Sequence, residues 1–160
     1  MGKKIIIPSD LKLSSIEHLR SILQFQSEND MQVILLHGIY LSNSISDLLF
    51  FDKSDLKLEI AGSRFMQRIN DLEDELGPMV QGIQVDFFSG FTQSSFNNYL
   101  SAVKADKVII PNDFRFDWSH KKSMDILPYF MNCQISKQYL SGSRNAVETP
   151  AERIYENAYS

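Results

Sequence analysis

Lys4-Ile5-Ile6-Ile7-Pro8-Ser9-Asp10 is the stretch on which the reading of the fold turns. Three large aliphatic residues in a row, closed by Pro-Ser-Asp turn chemistry, predict a short buried strand. Gln32-Val33-Ile34-Leu35-Leu36-His37 repeats the pattern. Its four consecutive aliphatics predict a strand covered on both faces, as in a parallel sheet. Between the two, Ser14-Ser15-Ile16-Glu17 has the spacing of a capping box, and Leu13, Ile16, Leu19 and Leu23 share one helical face. This predicts a helix that ends near Asn29.

The same alternation continues outward. Residues 38–55 read as a loop whose Leu48, Leu49, Phe50 and Phe51 should pack on the body. Leu58, Ala61, Phe65, Ile69, Leu72 and Leu76 recur at spacings of 3 and 4 residues and predict one helix, stopped by Gly77-Pro78. Ile83 to Phe88 reads as a third strand. Thr92 or Ser94 then opens a helix with Phe96, Tyr99, Leu100 and Val103 on one face. Lys107 to Pro111 reads as a fourth strand. Ser119 can cap a further helix with Met124, Leu127 and Met131 inward, although Pro128 falls inside it. Gln134 to Leu140 reads as the fifth strand. Alternating strands and helices predict an α/β domain, an open five-stranded parallel sheet with helices on both faces. Residues 1–140 form this domain. Residues 141–160 form a tail, where Thr149-Pro150-Ala151-Glu152 opens a short helix with Ile154, Tyr155 and Ala158 as an apolar patch.

Composition narrows the function. The chain has 160 residues, with 16 basic and 20 acidic side chains and a net charge of −4. That balance argues against broad nucleic-acid binding, which needs a basic surface. No apolar run approaches the roughly 18–20 residues of a membrane span. The apolar start ends at Pro8-Ser9-Asp10, too early for a signal peptide. Cys133 is the single cysteine, so no intrachain disulfide can form. A cytoplasmic protein is expected.

Lys4 to Asp10 resembles the opening strand of the universal stress proteins, where an apolar strand runs into Pro-(Thr/Ser)-Asp. Val33-Ile34-Leu35-Leu36-His37-Gly38 resembles their second strand, which commonly ends in Leu-His. Ala105-Asp106-Lys107-Val108-Ile109-Ile110 resembles the entry to their fourth. The likeness in element order covers about residues 3–140. It implies the strand order 3-2-1-4-5 of universal stress proteins and adenine-nucleotide alpha-hydrolases. It also implies dimerisation, often through the last strand, here Gln134 to Leu140, with the tail as a second surface. Some members of that family bind ATP and others do not.

The ATP-binding members carry a loop of Gly, two residues, Gly, nine residues, Gly, then Ser or Thr. Such glycines let backbone N–H groups cradle phosphates. Anchored at Pro111, the three glycine positions fall on Pro111, Phe114 and Met124, and no glycine lies between Gly90 and Gly142. The phosphate loop of the family is absent. Ser123 alone stands near the place of the terminal hydroxyl. No cofactor is therefore expected, and ATP or AMP would need a rebuilt loop with Lys121, Lys122 and Ser123 on the phosphates.

In the order 3-2-1-4-5 the first and fourth strands flank the topological switch point, where open α/β sheets bind ligands. Ser9, Asp10, Asn112 and Asp113 should line that crevice, with Leu36 and His37 at the end of the second strand. By resemblance, the aspartate matching Asp10 touches the nucleoside end of ATP. From the residues alone, Asp10 and Asp113 can instead cap turns, or hold a divalent cation. Arg115, Lys121 and Lys122 can offset their charge or form a solvated helix start. His37 reads as a packed strand-end histidine, since no nucleophile with an orienting group is identifiable beside it. His18 and His120 stand alone, and Cys133 reads as a buried thiol. Phe114, Phe116 and Trp118 alternate with Arg115 and Asp117. That is either an aromatic lid over the crevice or an extended segment packing one side. There is no Gly-x-Gly-x-x-Gly after the first strand and no Gly-Lys-(Ser/Thr). The expected function is a binding or regulatory module like a universal stress protein, without ATP hydrolysis and with a protein partner as its target. The alternatives are nucleotide binding by a rebuilt loop, or a divalent-metal enzyme or binder using Asp10 and Asp113.

Overall fold

Every residue of Ile5-Ile6-Ile7 is buried, because each side of the sheet has its own core. The computed structural model describes residues 2–41 and 52–140. Five parallel strands, β1 (Lys4–Pro8), β2 (Met31–Ile39), β3 (Val80–Phe88), β4 (Lys107–Pro111) and β6 (Ser136–Leu140), lie in the order β3-β2-β1-β4-β6. This is the expected 3-2-1-4-5 arrangement. One strand is added to it: β5 (Ser123–Met124) pairs antiparallel with Gly38 and Ile39 of β2. In the β1–β2 register Ile6 faces Ile34 and Pro8 faces Leu36. The helices are α1 (Ile16–Phe25), α2 (Lys53–Ile60), α3 (Gly62–Leu76), α4 (Gln93–Ala102) and α5 (Leu127–Met131).

Side chains alternate across a strand, so Ile5, Ile7, Val33, Leu35 and Ile109 meet Leu19, Ile22 and Leu23 of α1 and Phe65, Ile69 and Leu72 of α3. Ile6, Ile34, Val108 and Ile110 meet Phe96 and Leu100 of α4 and Phe130 of α5 on the other face. Cys133 is buried in that second core. Phe96 is fully enclosed, with Phe130 at 4.9 Å and Phe88 edge-on at 5.3 Å between ring centroids.

Several local expectations are corrected. The capping box does not form: residues 13–15 make a 3-10 turn, and no side chain caps α1. The Ser15 hydroxyl donates to the Lys12 carbonyl at 2.7 Å, and Glu17 pairs with Arg20. The α1 helix ends at Phe25 rather than near Asn29. The helix expected across Leu58 to Leu76 is two helices, broken at Ala61–Gly62, where Gly62 has φ +85°. Only glycine adopts that conformation without strain. Leu58 consequently lies on the surface. Strands β2 and β3 are longer at both ends or at the start than their aliphatic cores. No helix starts at Ser119. The chain turns there, enters β5, and forms a helix only from Leu127. Pro128 sits in the first turn of α5, where its missing N–H is needed by no intrahelical bond. Asp125 accepts from the Leu127 amide at 2.9 Å, and Met131 is exposed. β5 runs close over Gly38, where a Cβ would lie 2.3 Å from Ile126 Cγ2 and 2.4 Å from the Met124 carbonyl oxygen.

The expected packing of Leu48 to Phe51 and the helix in 149–160 lie outside the described residues. Among the described residues, no helix is long and apolar enough to cross a membrane.

Candidate functional site

The ends of β1 and β2 are tied together by a tight turn. The Ser9 amide donates to the Leu36 carbonyl at 3.0 Å, and the Ser9 hydroxyl accepts from the Leu11 amide at 3.0 Å. Leu11 takes a left-handed conformation, φ 59°, unusual for a branched side chain. Asp10 is buried. Its Oδ1 accepts from the Lys12 amide at 3.1 Å and its Oδ2 from the Asp117 amide at 2.9 Å. Burial pushes the Asp10 carboxyl above its ordinary pKa, and the two N–H donors only partly oppose this.

His37 sits at the floor of the same region, also buried. Its Nδ1 lies 2.8 Å from the Ser9 carbonyl oxygen, and its Nε2 2.7 Å from Ser123 Oγ. A carbonyl only accepts, so Nδ1 carries the proton and Nε2 accepts from the Ser123 hydroxyl. Burial pushes the imidazole down to about 4, which keeps it neutral at pH 7. A hydroxyl, an imidazole and a carbonyl in line have the hydrogen-bond order of an activated nucleophile. Ser123 and His37 are enclosed, however, and the Ser123 amide is committed to the His120 carbonyl at 2.8 Å. In this arrangement the group locks β5 to the sheet.

Residues 112–122 cross over this floor without regular helix or strand. Phe114, Phe116 and Trp118 turn inward and are half-buried, while Arg115 and Asp117 face out. Their rings form a ladder. Phe114 lies 4.9 Å from His18, Phe116 is edge-on to Phe114 at 5.1 Å, and Trp118 stacks on Phe116 at 5.3 Å and 9°. Trp118 also lies 5.3 Å from His37. Under Phe114 and Phe116 remains a cavity of about 20 Å³, bounded by Ser9, Ser15 and His18, room for a single water.

The candidates from the sequence divide. Ser9, Asp10, the Leu36 carbonyl, His37 and Ser123 are brought together. Asn112 and Asp113 are held by other partners. The Asn112 amide donates to the Leu140 carbonyl at 3.0 Å, and Asp113 Oδ1 lies 3.4 Å from His18 Nε2. Asp10 and Asp113 thus serve different partners. Among the described residues, no three His, Cys, Asp or Glu side chains gather as a metal site requires. Lys121 is exposed, and Lys122 reaches back to α2, its Nζ 2.9 Å from Glu59 Oε1. At the end of β3, Asp86 accepts from Lys53 at 2.6 Å and from the Tyr99 hydroxyl at 2.8 Å. Burial works to raise the Asp86 pKa, but those donors outweigh it and hold the carboxyl low. The Asp10–Asp117, His37–Ser123 and Asp86–Tyr99 links are missed by sequence reading. Only the aromatic alternation at 114–118 carried a local signal for any of them.

No family model matches the chain. No curated protein matches it either. Solved structures do. The hypothetical protein MJ0577, whose biochemical function was assigned from its structure, is 19% identical, with TM-score 0.55 over 88% of this chain and 96% of that one. The universal stress protein UspA from Lactobacillus plantarum is 9% identical, with TM-score 0.53 over 86% and 97%. A universal stress protein in complex with cAMP is 14% identical, with TM-score 0.50 over 88% and 97%. At these identities the likeness is one of architecture, and it matches the sheet order and the coverage seen above. The chain has the fold of the universal stress proteins.

Proposed function

We propose that this chain is a divergent universal-stress-protein-like module that acts by binding and regulation, with its switch point closed to nucleotide and no ATP hydrolysis. One observation carries the reading: a ladder of Phe114, Phe116 and Trp118 lies where ATP-binding members are expected to carry their glycine loop. Aromatic side chains there supply no phosphate cradle, and Pro111 has no N–H to donate. The Asp10 oxygens are already taken by two amides, and a second carboxylate, Asp113, adds repulsion rather than help for a polyphosphate. The cAMP of one structural neighbour is a property of that protein.

Calorimetric titration of ATP and AMP, with and without Mg²⁺, tests the reading. The expected result is no binding tighter than about 100 µM, the affinity worth roughly 5.5 kcal/mol. Tighter binding that is lost in Lys122→Ala supports the rebuilt loop instead. That loop would have to draw Ser123 off His37 and Lys122 off Glu59. Mg²⁺ or Mn²⁺ binding that disappears in Asp10→Ala supports the metal reading.

A stress-response role, a cytoplasmic setting and a homodimer go with this proposal. Of the two edge strands among the described residues, β3 has the Ile83 amide taken by Glu73 at 2.7 Å and the Phe87 amide by Asp86 at 2.9 Å. Such side-chain blocking discourages strand addition. That blocking supports keeping the proposed dimer surface on β6, with the tail as the second surface. Light scattering at tens of micromolar should give twice the 18.4 kDa chain mass; a monomer contradicts the assignment.

A further inference from the structure

We propose that residues 114–119 are a hinged strap that opens as a unit over the carboxyl ends of β1 and β2, with the Asp10 carboxylate as the pin that holds it shut. The inference rests on the reading of the switch point as closed by the aromatic ladder, and it makes that closure a gate.

The two ends of the strap are fixed. At one end the Asn112 amide continues the β4–β6 ladder through Leu140. At the other, Ser123 is built into β5 and bonded to His37, and the Tyr40 amide donates to the Lys122 carbonyl at 2.9 Å. The middle is held differently. From Phe114 to Ser119, among the described residues, the Asp117 amide makes the one backbone hydrogen bond to the rest of the domain, and its acceptor is Asp10 Oδ2. Across those six residues the remaining hold is ring contact from alternate residues on one side of one extended segment, while the flanking Asp113 pairs with His18 and the flanking His120 and Lys122 with Glu59, so that these contacts belong to the fixed ends. Segments with few backbone bonds and half-buried side chains open at lower free energy than the sheet beneath them. Loss of that pin loosens the ladder as a unit, because Phe116 is edge-on to Phe114 and stacked on Trp118, so the three rings move together. The open form uncovers Asp10, the Ser9 turn and the face of His37, which are buried in the closed form.

The decisive reading is amide hydrogen exchange on the full chain with no ligand present, so it stands apart from the nucleotide titrations above. The Asp117 amide should exchange at least about 100-fold faster than the Ile34 and Val108 amides of the sheet. Asp10→Ala should speed it a further tenfold or more, the factor carried by a charge-assisted hydrogen bond, and leave Ile34 unchanged. Phe116→Ala spares the buried carboxylate and guards against a folding defect in the first variant. It should raise Asp117 exchange and acrylamide quenching of Trp118 together. Exchange of Asp117 in step with Ile34 in the wild type overturns the proposal. So does a Phe116→Ala chain in which both readings stay at wild-type values.

Discussion

Acid should weaken this fold through His37, by an amount fixed by the imidazole's surroundings. The ring is buried between the Ser9 carbonyl, the Ser123 hydroxyl and the Trp118 ring, and its pKa falls from 6.5 to about 4. A depressed folded-state pKa means that the unfolded chain takes up the proton first. Stability is therefore full above pH 6.5 and is lost as pH falls toward 4, then levels off. The full window is worth about 3 kcal/mol, and the part between pH 8 and pH 5 about 2 kcal/mol. Burial also depresses His18, which adds in the same direction, whereas the raised Asp10 carboxyl works in the opposite one. The comparison that isolates His37 is thus wild type against His37→Gln. Urea unfolding followed by far-ultraviolet circular dichroism at pH 8, 7, 6 and 5 gives the two stability curves. Their difference should shrink by about 2 kcal/mol between pH 8 and pH 5. Parallel curves would refute the assignment of a neutral, buried imidazole.

Three further substitutions probe the same architecture. Gly38→Ala puts a methyl into Ile126 and the Met124 carbonyl; it should cost about 1–3 kcal/mol in urea unfolding and loosen β5, raising amide exchange at Ser123. Ser123→Ala leaves His37 Nε2 as a buried acceptor without its donor, and the urea midpoint should fall by the equivalent of about 1–3 kcal/mol. Phe96→Ala empties the centre of the second core and should cost about 3–5 kcal/mol, with no effect on the strap. A surface-sized loss in any of the three contradicts the packing described.

The sheet was legible because its signals are local and strong. Runs such as Ile5 to Ile7 and Val33 to Leu36 can only be satisfied by burial on both faces, and their alternation with amphipathic segments leaves few topologies. The helix boundaries were less legible. Leu58 fits the periodicity of Leu72 and Leu76, yet one positive-φ glycine at Gly62 turns it to solvent. Met124 and Leu127 likewise fit a helix opened by Ser119. The antiparallel pairing of Ser123–Met124 with Gly38 overrides it, and that pairing spans about 85 residues of sequence that no local pattern encodes. At the site, turn chemistry identified Asp10 and strand-end position identified His37. Their partners, the Asp117 amide and the Ser123 hydroxyl, arrive from far along the chain. The alternating aromatics at 114–118 were visible as a lid or a packing face, and their geometry is both: they pack against His18 and His37, and in doing so they cover the crevice.

The most direct test of that closed crevice is a crystal structure of the full chain grown with ATP and Mg²⁺. The expected result is Phe114, Phe116 and Trp118 stacked over the ends of β1 and β2, Asp10 accepting from the Asp117 amide, and no nucleotide at the switch point. Nucleotide seated against Asp10, with the three rings displaced, would contradict the account.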